Sequence, residues 1–164
     1  VLLDAMRQLE LEGAQLNLDI IGKGYLRENC IRLADANHVA KISVLDPLPY
    51  GRPFFELIRR YHALVVPNLS DEQPRIIFDS YSQAVPVIAS DTEGIRPYVK
   101  DGKTGRLVVK NDVGALATAL RWAISQRGEL HMMGMNALEI ARSATLRKMH
   151  CQRWTLILEL LSTL

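Results

Sequence analysis

The chain has 164 residues, of which 48% are hydrophobic and 23% are charged, and its formal net charge is +2. This composition is typical of one globular domain with a real core, and it excludes a disordered or collagen-like chain. No apolar run approaches the ~20 residues of a membrane helix. The small charge, without any Lys/Arg block, argues against a nucleic-acid partner.

Few residues outside the main pattern suggest chemistry of their own. Cys30 and Cys151 lie far apart without a CxxC spacing, so we expect reduced, buried thiols and a cytoplasmic protein. The four histidines show no metal-ligand spacing, so no metal site is predicted. Met132, Met133 and Met135 are expected to fill the core.

The predicted elements begin with a helix that already includes Val1, without an initiator methionine or a capping residue ahead of it. We therefore expect a piece of a longer protein. Hydrophobic periodicity and turn residues place the other boundaries. Strands are predicted at residues 16–21, 41–44, 63–66, 85–89 and 106–109, and helices at 1–11, 25–36, 53–60, from Pro74 onward, 95–99, 113–125, 129–142 and 146–161.

Strands that alternate with helices at this spacing predict an α/β fold, with a parallel sheet of about five strands covered by helices on both faces. In such sheets ligands bind beyond the carboxyl ends of the strands. The segments that follow predicted strands are therefore expected to crowd one rim. They are residues 22–24, 46–51, 68–75 and 90–94.

The stretch from residue 63 to residue 91 carries the clearest candidate site. Pro74 suits the first turn of a helix, because that turn has N–H groups without intrahelical partners and the proline ring fixes a helical φ. Asp71 precedes this turn, and Asp79 lies eight residues further on, inside the helix. Free N–H groups and the helix dipole attract anions. The pattern predicts a site for phosphate and hydroxyl groups.

Each residue of this site also has a simpler interpretation. Asp79 can accept two hydrogen bonds from a vicinal diol such as a ribose, or it can point to solvent. Asp71 can instead cap the turn. Arg75 either neutralises an anion or points away from the site. The turn that contains Gly22 and Lys23 lacks the third glycine of the dinucleotide fingerprint and the GKS/T of a phosphate loop, so it is equally well explained as a tight turn.

Several ordered motifs lie between residue 16 and about residue 120, namely IIGKGYLRENCIRLA, DEQPRIIFD, AVPVIASD with a following EG, and DGKTGRLV. Together they resemble the C-terminal domain of family 4 glycosyltransferases. These are retaining, nucleotide-sugar-dependent enzymes of the GT-B fold. The resemblance implies a Rossmann-like three-layer αβα domain with a parallel sheet of about five to six strands, one half of a GT-B fold.

The resemblance also implies roles for the residues of the acidic motif. Asp71 matches the first acid, which reaches the donor sugar and is the candidate catalytic residue. Asp79 matches the second acid, which holds the ribose hydroxyls. The segment between them matches the one whose backbone N–H groups meet the sugar and the diphosphate. This segment consists of Gln73, Pro74, Arg75 and Ile76.

The resemblance further implies that Gly22 and Lys23 lie near the phosphates and that the loop with Asp46 and Leu48 lies beside the base. Two departures from the family pattern are visible. Both acids are aspartates where glutamates are usual, and Glu72 replaces a common glycine. Because a shift of about 1 Å can cost on the order of a hundredfold in rate, a changed donor or a degenerate site stays open.

The resemblance implies a nucleoside-diphosphate sugar as donor substrate, with no cofactor and no metal. Residues 1–164 are expected to form a single donor-binding domain that is inactive alone. An N-terminal domain upstream would bind the acceptor, which is a sugar, lipid or polysaccharide, and would carry any peripheral membrane association. Two other functions stay open, namely a sugar-nucleotide epimerase of related architecture and a non-catalytic Rossmann-like binding module.

Overall fold

The computed structural model describes residues 1–35 and 41–162, and helices and strands alternate along them from α1 to β4. The predicted end of the second helix, Ala36, lies outside the described residues. In the described part, seven helices and five strands follow one another. They are α1 Leu2–Leu11, β1 Asn17–Ile21, α2 Arg27–Asp35, β2 Lys41–Leu45, α3 Arg52–Ile58, β3 Leu64–Val66, α4 Ile76–Tyr81, β4 Val87–Ser90, β5 Gly105–Val108, α5 Val113–Ser125, α6 Arg127–Ser143 and α7 Leu146–Ser162.

All strand pairs are parallel, but the strands form two hydrogen-bonded sheets where the sequence predicts one. β1 pairs with β2, and β4 lies between β3 and β5. A side-chain contact links the two sheets, because the hydroxyl of Tyr61, just before β3, donates to Asp19 Oδ2 in β1 at 2.6 Å. Leu18 and Val65 also pack against one shared apolar cluster. Side chains therefore make the junction between the sheets.

Helices cover both faces of the β3–β4–β5 sheet. The buried side chains of α1 and α5, among them Met6 and Leu116, form a core with Ile88 of β4. The neighbours of Ile88, Val87 and Ala89, face the opposite core, to which α4 and α6 contribute. This alternation is what a strand dictates, since successive side chains point to opposite faces. The three-layer α/β class predicted from the sequence is confirmed.

The short helix predicted at residues 95–99 is wrong. Residues 93–98 form consecutive turns, in which the N–H groups of Ile95 and Arg96 donate to the carbonyl oxygen of Thr92. Pro97 lies in this stretch and has no N–H, so a regular helical ladder cannot continue through it.

The predictions for the thiols and methionines are only partly right. Both cysteines are free, but Cys30 is half-buried and Cys151 is exposed. Of the three methionines, Met133 is buried while Met132 and Met135 are 58% and 41% exposed. The reason is helical geometry, because the inward face of α6 recurs every three to four residues at Leu130, Met133 and Ala137, and Met132 and Met135 lie off that face.

Candidate functional site

The rim begins at the adjacent ends of β1 and β2, where Ile21 lies opposite Leu45. Arg27, at the start of α2, ties these ends together. Its Nη1 donates to the carbonyl oxygens of Gly22 and Leu45, each at 3.2 Å, and its Nη2 lies 3.2 Å from Asp46 Oδ1. The turn of residues 22–24 and the loop of residues 46–51 are therefore held side by side. From the sequence alone, Arg27 cannot be told apart from any other residue on the surface of a helix.

A second part of the rim is a direct backbone contact between the loops after β3 and β4. A Cβ atom added at Gly94 would lie 2.2 Å from the carbonyl oxygen of Asp71 and 2.4 Å from that of Glu72. Real Cβ contacts under 3.0 Å essentially never occur. The backbone that carries Asp71 thus rests on Gly94, and these two loops share the rim as predicted.

The segment between the two candidate acids leaves polar groups available. Helix α4 begins at Ile76 with Arg75 as its N-cap, so the predicted start at Pro74 is two residues too early. The chain nevertheless turns at Pro74, whose carbonyl oxygen accepts from the N–H of Ile77 at 3.2 Å. Within the described residues, the N–H groups of Gln73, Arg75 and Ile76 donate no hydrogen bond. Because α4 has only six residues, these free N–H groups matter more than a helix dipole.

Helix α4 is firmly anchored below the rim. Ile77 and Tyr81 are completely buried. The hydroxyl of Tyr81 lies 2.8 Å from Thr104 Oγ1, and burial raises the pKa of Tyr81. Asp79 lies on the outer side of this helix, half-buried, where the hydroxyl of Tyr50 donates to its Oδ1 at 2.9 Å. A rigid helix therefore presents Asp79 at the surface.

Two cations that interact with the charge of Asp71 lie outside every motif named above. Lys110 follows β5, and its Nζ lies 4.0 Å from Asp71 Oδ1. Arg96 Nε donates to Asp91 Oδ1 at 2.7 Å, and this bond lowers the pKa of Asp91. The position of Lys110 directly after a strand is the signal that could have found it.

The structure brings the predicted site residues together in two groups. One contains Gly22, Lys23, Asp46 and Leu48, all on segments joined by Arg27. The other extends from Asp71 to Asp79. Tyr50 connects the groups, because it belongs to the loop after β2 and contacts Asp79. Lys23 is exposed and makes no ion pair with any described residue, and Leu48 is 41% exposed.

Among the described residues, no three side chains of His, Cys, Asp or Glu lie together as metal ligands would. None of the described helices is long and apolar enough to cross a membrane. Helix α7 buries none of its side chains, and its apolar residues Trp154 and Leu156 are exposed.

Comparison with known proteins places the chain in a family. Residues 1–139 match the family described as glycosyl transferases group 1. The chain belongs to this family. One relative of this group 1 chain is the D-inositol 3-phosphate glycosyltransferase of Nocardia farcinica, which is 29% identical over 98 residues. That match covers 60% of this chain but only 22% of the relative, so the chain corresponds to a minor part of the relative's length.

Solved structures show the fold of this group 1 chain in other proteins. TarM superposes with a TM-score of 0.78 at 16% identity, over 94% of this chain and 31% of TarM. HepE of Anabaena, in complex with UDP-glucose, superposes with a TM-score of 0.65 at 16% identity, over 98% of this chain and 53% of HepE. At such identities the likeness shows the fold alone. The predicted Rossmann-like half of a GT-B fold is confirmed.

Proposed function

We propose that this group 1 chain forms the donor-binding part of a glycosyltransferase, which moves a sugar from a nucleoside diphosphate to an acceptor with retention of configuration. One observation carries the proposal. Asp71 and Asp79 flank a segment with free N–H groups, at the carboxyl end of a parallel sheet. The complex of HepE with UDP-glucose supports a nucleotide sugar as the donor.

The diphosphate is proposed to lie against residues 73–76. As the bond to the sugar breaks, the departing diphosphate gains negative charge, and donors fixed in advance stabilise such charge most effectively. Lys23 and Arg75 are the cations expected from the sequence, and Lys110 adds a third beside Asp71. These protein cations are proposed to offset the charge, so that neither a metal nor a cofactor is required.

Asp79 is proposed to hold the ribose and Asp71 the donor sugar. A carboxylate offers two oxygens, which match the two hydroxyls of a vicinal diol. The Asp71 side chain is one methylene shorter than a glutamate, and its backbone is packed on Gly94, which restricts the movement of this loop. The acceptor is proposed to bind on a further domain, as the resemblance implies.

Nucleotide binding is the first test. UDP, GDP, ADP and UDP-glucose are titrated into the protein while backbone amide shifts are followed. We expect shifts to concentrate at Gly22 and at residues 71–79. If no ligand perturbs these amides, the proposed site is wrong.

The substitution Asp79→Asn tests the ribose contact. It keeps the shape of the side chain and removes its charge, so nucleotide affinity should fall about tenfold or more, the range for hydrogen bonds to a charged group. The free energy of unfolding should not change. Asp35→Asn, at the exposed end of α2, is the matched control and should leave affinity unaltered. Equal affinity in Asp79→Asn would remove Asp79 from the site.

A further inference from the structure

Tyr50 makes a contact that the proposed function does not use. Its side chain is 74% exposed, yet its hydroxyl donates to Asp79 Oδ1 at 2.9 Å. The two residues are 29 positions apart and belong to different segments of the rim. Holding an exposed side chain in one rotamer costs conformational entropy. The contact therefore needs a structural cause.

The cause is the aromatic group around Tyr50. The ring centroid of Tyr50 lies 5.5 Å from that of Phe54 and 5.4 Å from that of Phe55. Gly51 follows with a φ of 128°, a value that residues other than glycine rarely adopt. It turns the chain directly into α3. The loop itself thus sets the position of the Tyr50 ring, independently of Asp79.

The contact leaves most of the Asp79 carboxylate available. A tyrosine phenol is protonated at neutral pH and therefore acts as the donor, and the hydrogen bond to Asp79 raises the pKa of Tyr50 further. It occupies one lone pair of Oδ1. Oδ2 and the second lone pair of Oδ1 remain as acceptors. Two ligand hydroxyls can therefore bind while Tyr50 stays in place.

We propose that Tyr50 is a positioning residue of the nucleotide site, whose hydroxyl holds the Asp79 carboxylate in the orientation that accepts the two hydroxyls of a ribose. The inference rests on the proposed function. The terminal torsion of an aspartate is broad, so an unrestrained carboxylate must be ordered when the ligand binds. A carboxylate fixed in advance avoids that ordering cost. The site should therefore prefer a nucleotide with both the 2′ and the 3′ hydroxyl.

The test compares Tyr50→Phe with a matched control, Tyr61→Phe. Both substitutions remove a phenol that donates to an aspartate, but the partner of Tyr61 is Asp19. Dissociation constants are measured for whichever of UDP, GDP and ADP binds most tightly, and for the 2′-deoxy form of that nucleotide. Tyr50→Phe should weaken binding of the ribonucleotide about two- to tenfold, the range for one hydrogen bond. Tyr50→Phe should also bring the dissociation constants of the ribonucleotide and the 2′-deoxy ligand closer together. Tyr61→Phe should change neither the affinity for the ribonucleotide nor the ratio of the two constants.

Each other outcome has a distinct meaning. Equal losses for the two ligands would show a merely structural role for Tyr50 and would overturn the inference. Tighter ribonucleotide binding by Tyr50→Phe would show that the phenol blocks the ribose, which also overturns it. Unchanged binding by Tyr50→Phe would overturn the inference but not the proposed function. If the wild-type protein binds none of the three nucleotides, the proposed function fails, and the inference fails with it.

Discussion

Two glycines of the rim, Gly94 and Gly22, differ in what surrounds them. At Gly94 the place of a Cβ atom is filled by the backbone of residues 71–72. At Gly22 nothing lies within 4 Å of that place, and φ is outside the left-handed region. The fold itself requires the first glycine, whereas the second leaves open space above the backbone. Only a ligand that approaches closely would require a glycine at position 22.

The largest expected effect is that of Gly94→Ala. The added methyl group would lie 2.2 Å from the carbonyl oxygen of Asp71, so the loop that carries the candidate acid must move. Overpacking of this kind costs about 1–3 kcal/mol. We expect a lower free energy of unfolding in denaturant and loss of nucleotide binding by calorimetry.

Gly114→Ala is the control for this substitution. A Cβ atom there meets Asp112 Oδ1 at 3.5 Å, which is ordinary contact, and alanine favours the helix α5. The control should be at least as stable as the wild type. Normal nucleotide binding by Gly94→Ala would show that the loop tolerates displacement and would contradict the proposed site.

Gly22→Ala, unlike Gly94→Ala, should affect ligand binding without affecting stability. The methyl group enters open space, so the free energy of unfolding should change by no more than about 0.5 kcal/mol. If a diphosphate approaches this turn, affinity for UDP should fall severalfold while affinity for uridine stays the same. Equal losses for UDP and uridine, or no loss, would leave the turn as a simple connection between β1 and α2.

Lys110→Met should affect the ligand more than the fold. Lys110 and Asp71 are 44% and 57% exposed and 4.0 Å apart, and exposed pairs contribute at most about 1 kcal/mol to stability. The melting temperature should therefore hardly change. A weaker affinity for UDP-glucose by calorimetry is expected, with a reduced dependence on salt concentration. An unaltered salt dependence would exclude Lys110 from the charge balance of the site.

The smallest effect is expected at high pH, at the junction of the two sheets. Burial, followed by the hydrogen bond to Asp19, raises the pKa of Tyr61 to about 12. A raised pKa means that protonated Tyr61 stabilises the folded state. This contribution to the free energy of unfolding is complete below about pH 10 and is lost as the pH rises towards 12. Urea titrations across this interval should show a decline that is smaller in Tyr61→Phe. An identical decline in both proteins would assign it to other groups.

The sequence predicts the elements and the rim but not the contacts across the rim. Periodicity places α5 at residues 113–125, and the order of strands and turns places the loops with Asp46 and Asp71 at one edge. The resemblance to a family supplies the roles of Asp71 and Asp79. The bond between Tyr50 and Asp79 depends on the φ of Gly51 and on ring packing. Local patterns do not encode such long-range geometry.

Burial in the two sheets is unequal, and this has a dynamic consequence. No residue of β1, α2 or β2 is fully buried, whereas every residue of β4 is. Segments with few buried contacts open locally at a lower free energy than the core. The unit formed by β1, α2 and β2 should therefore exchange its amide hydrogens before the β3–β4–β5 sheet does. A nucleotide that contacts both Gly22 and Asp79 would fasten this unit to the sheet, so donor occupancy would also govern how long the chain resists proteolysis.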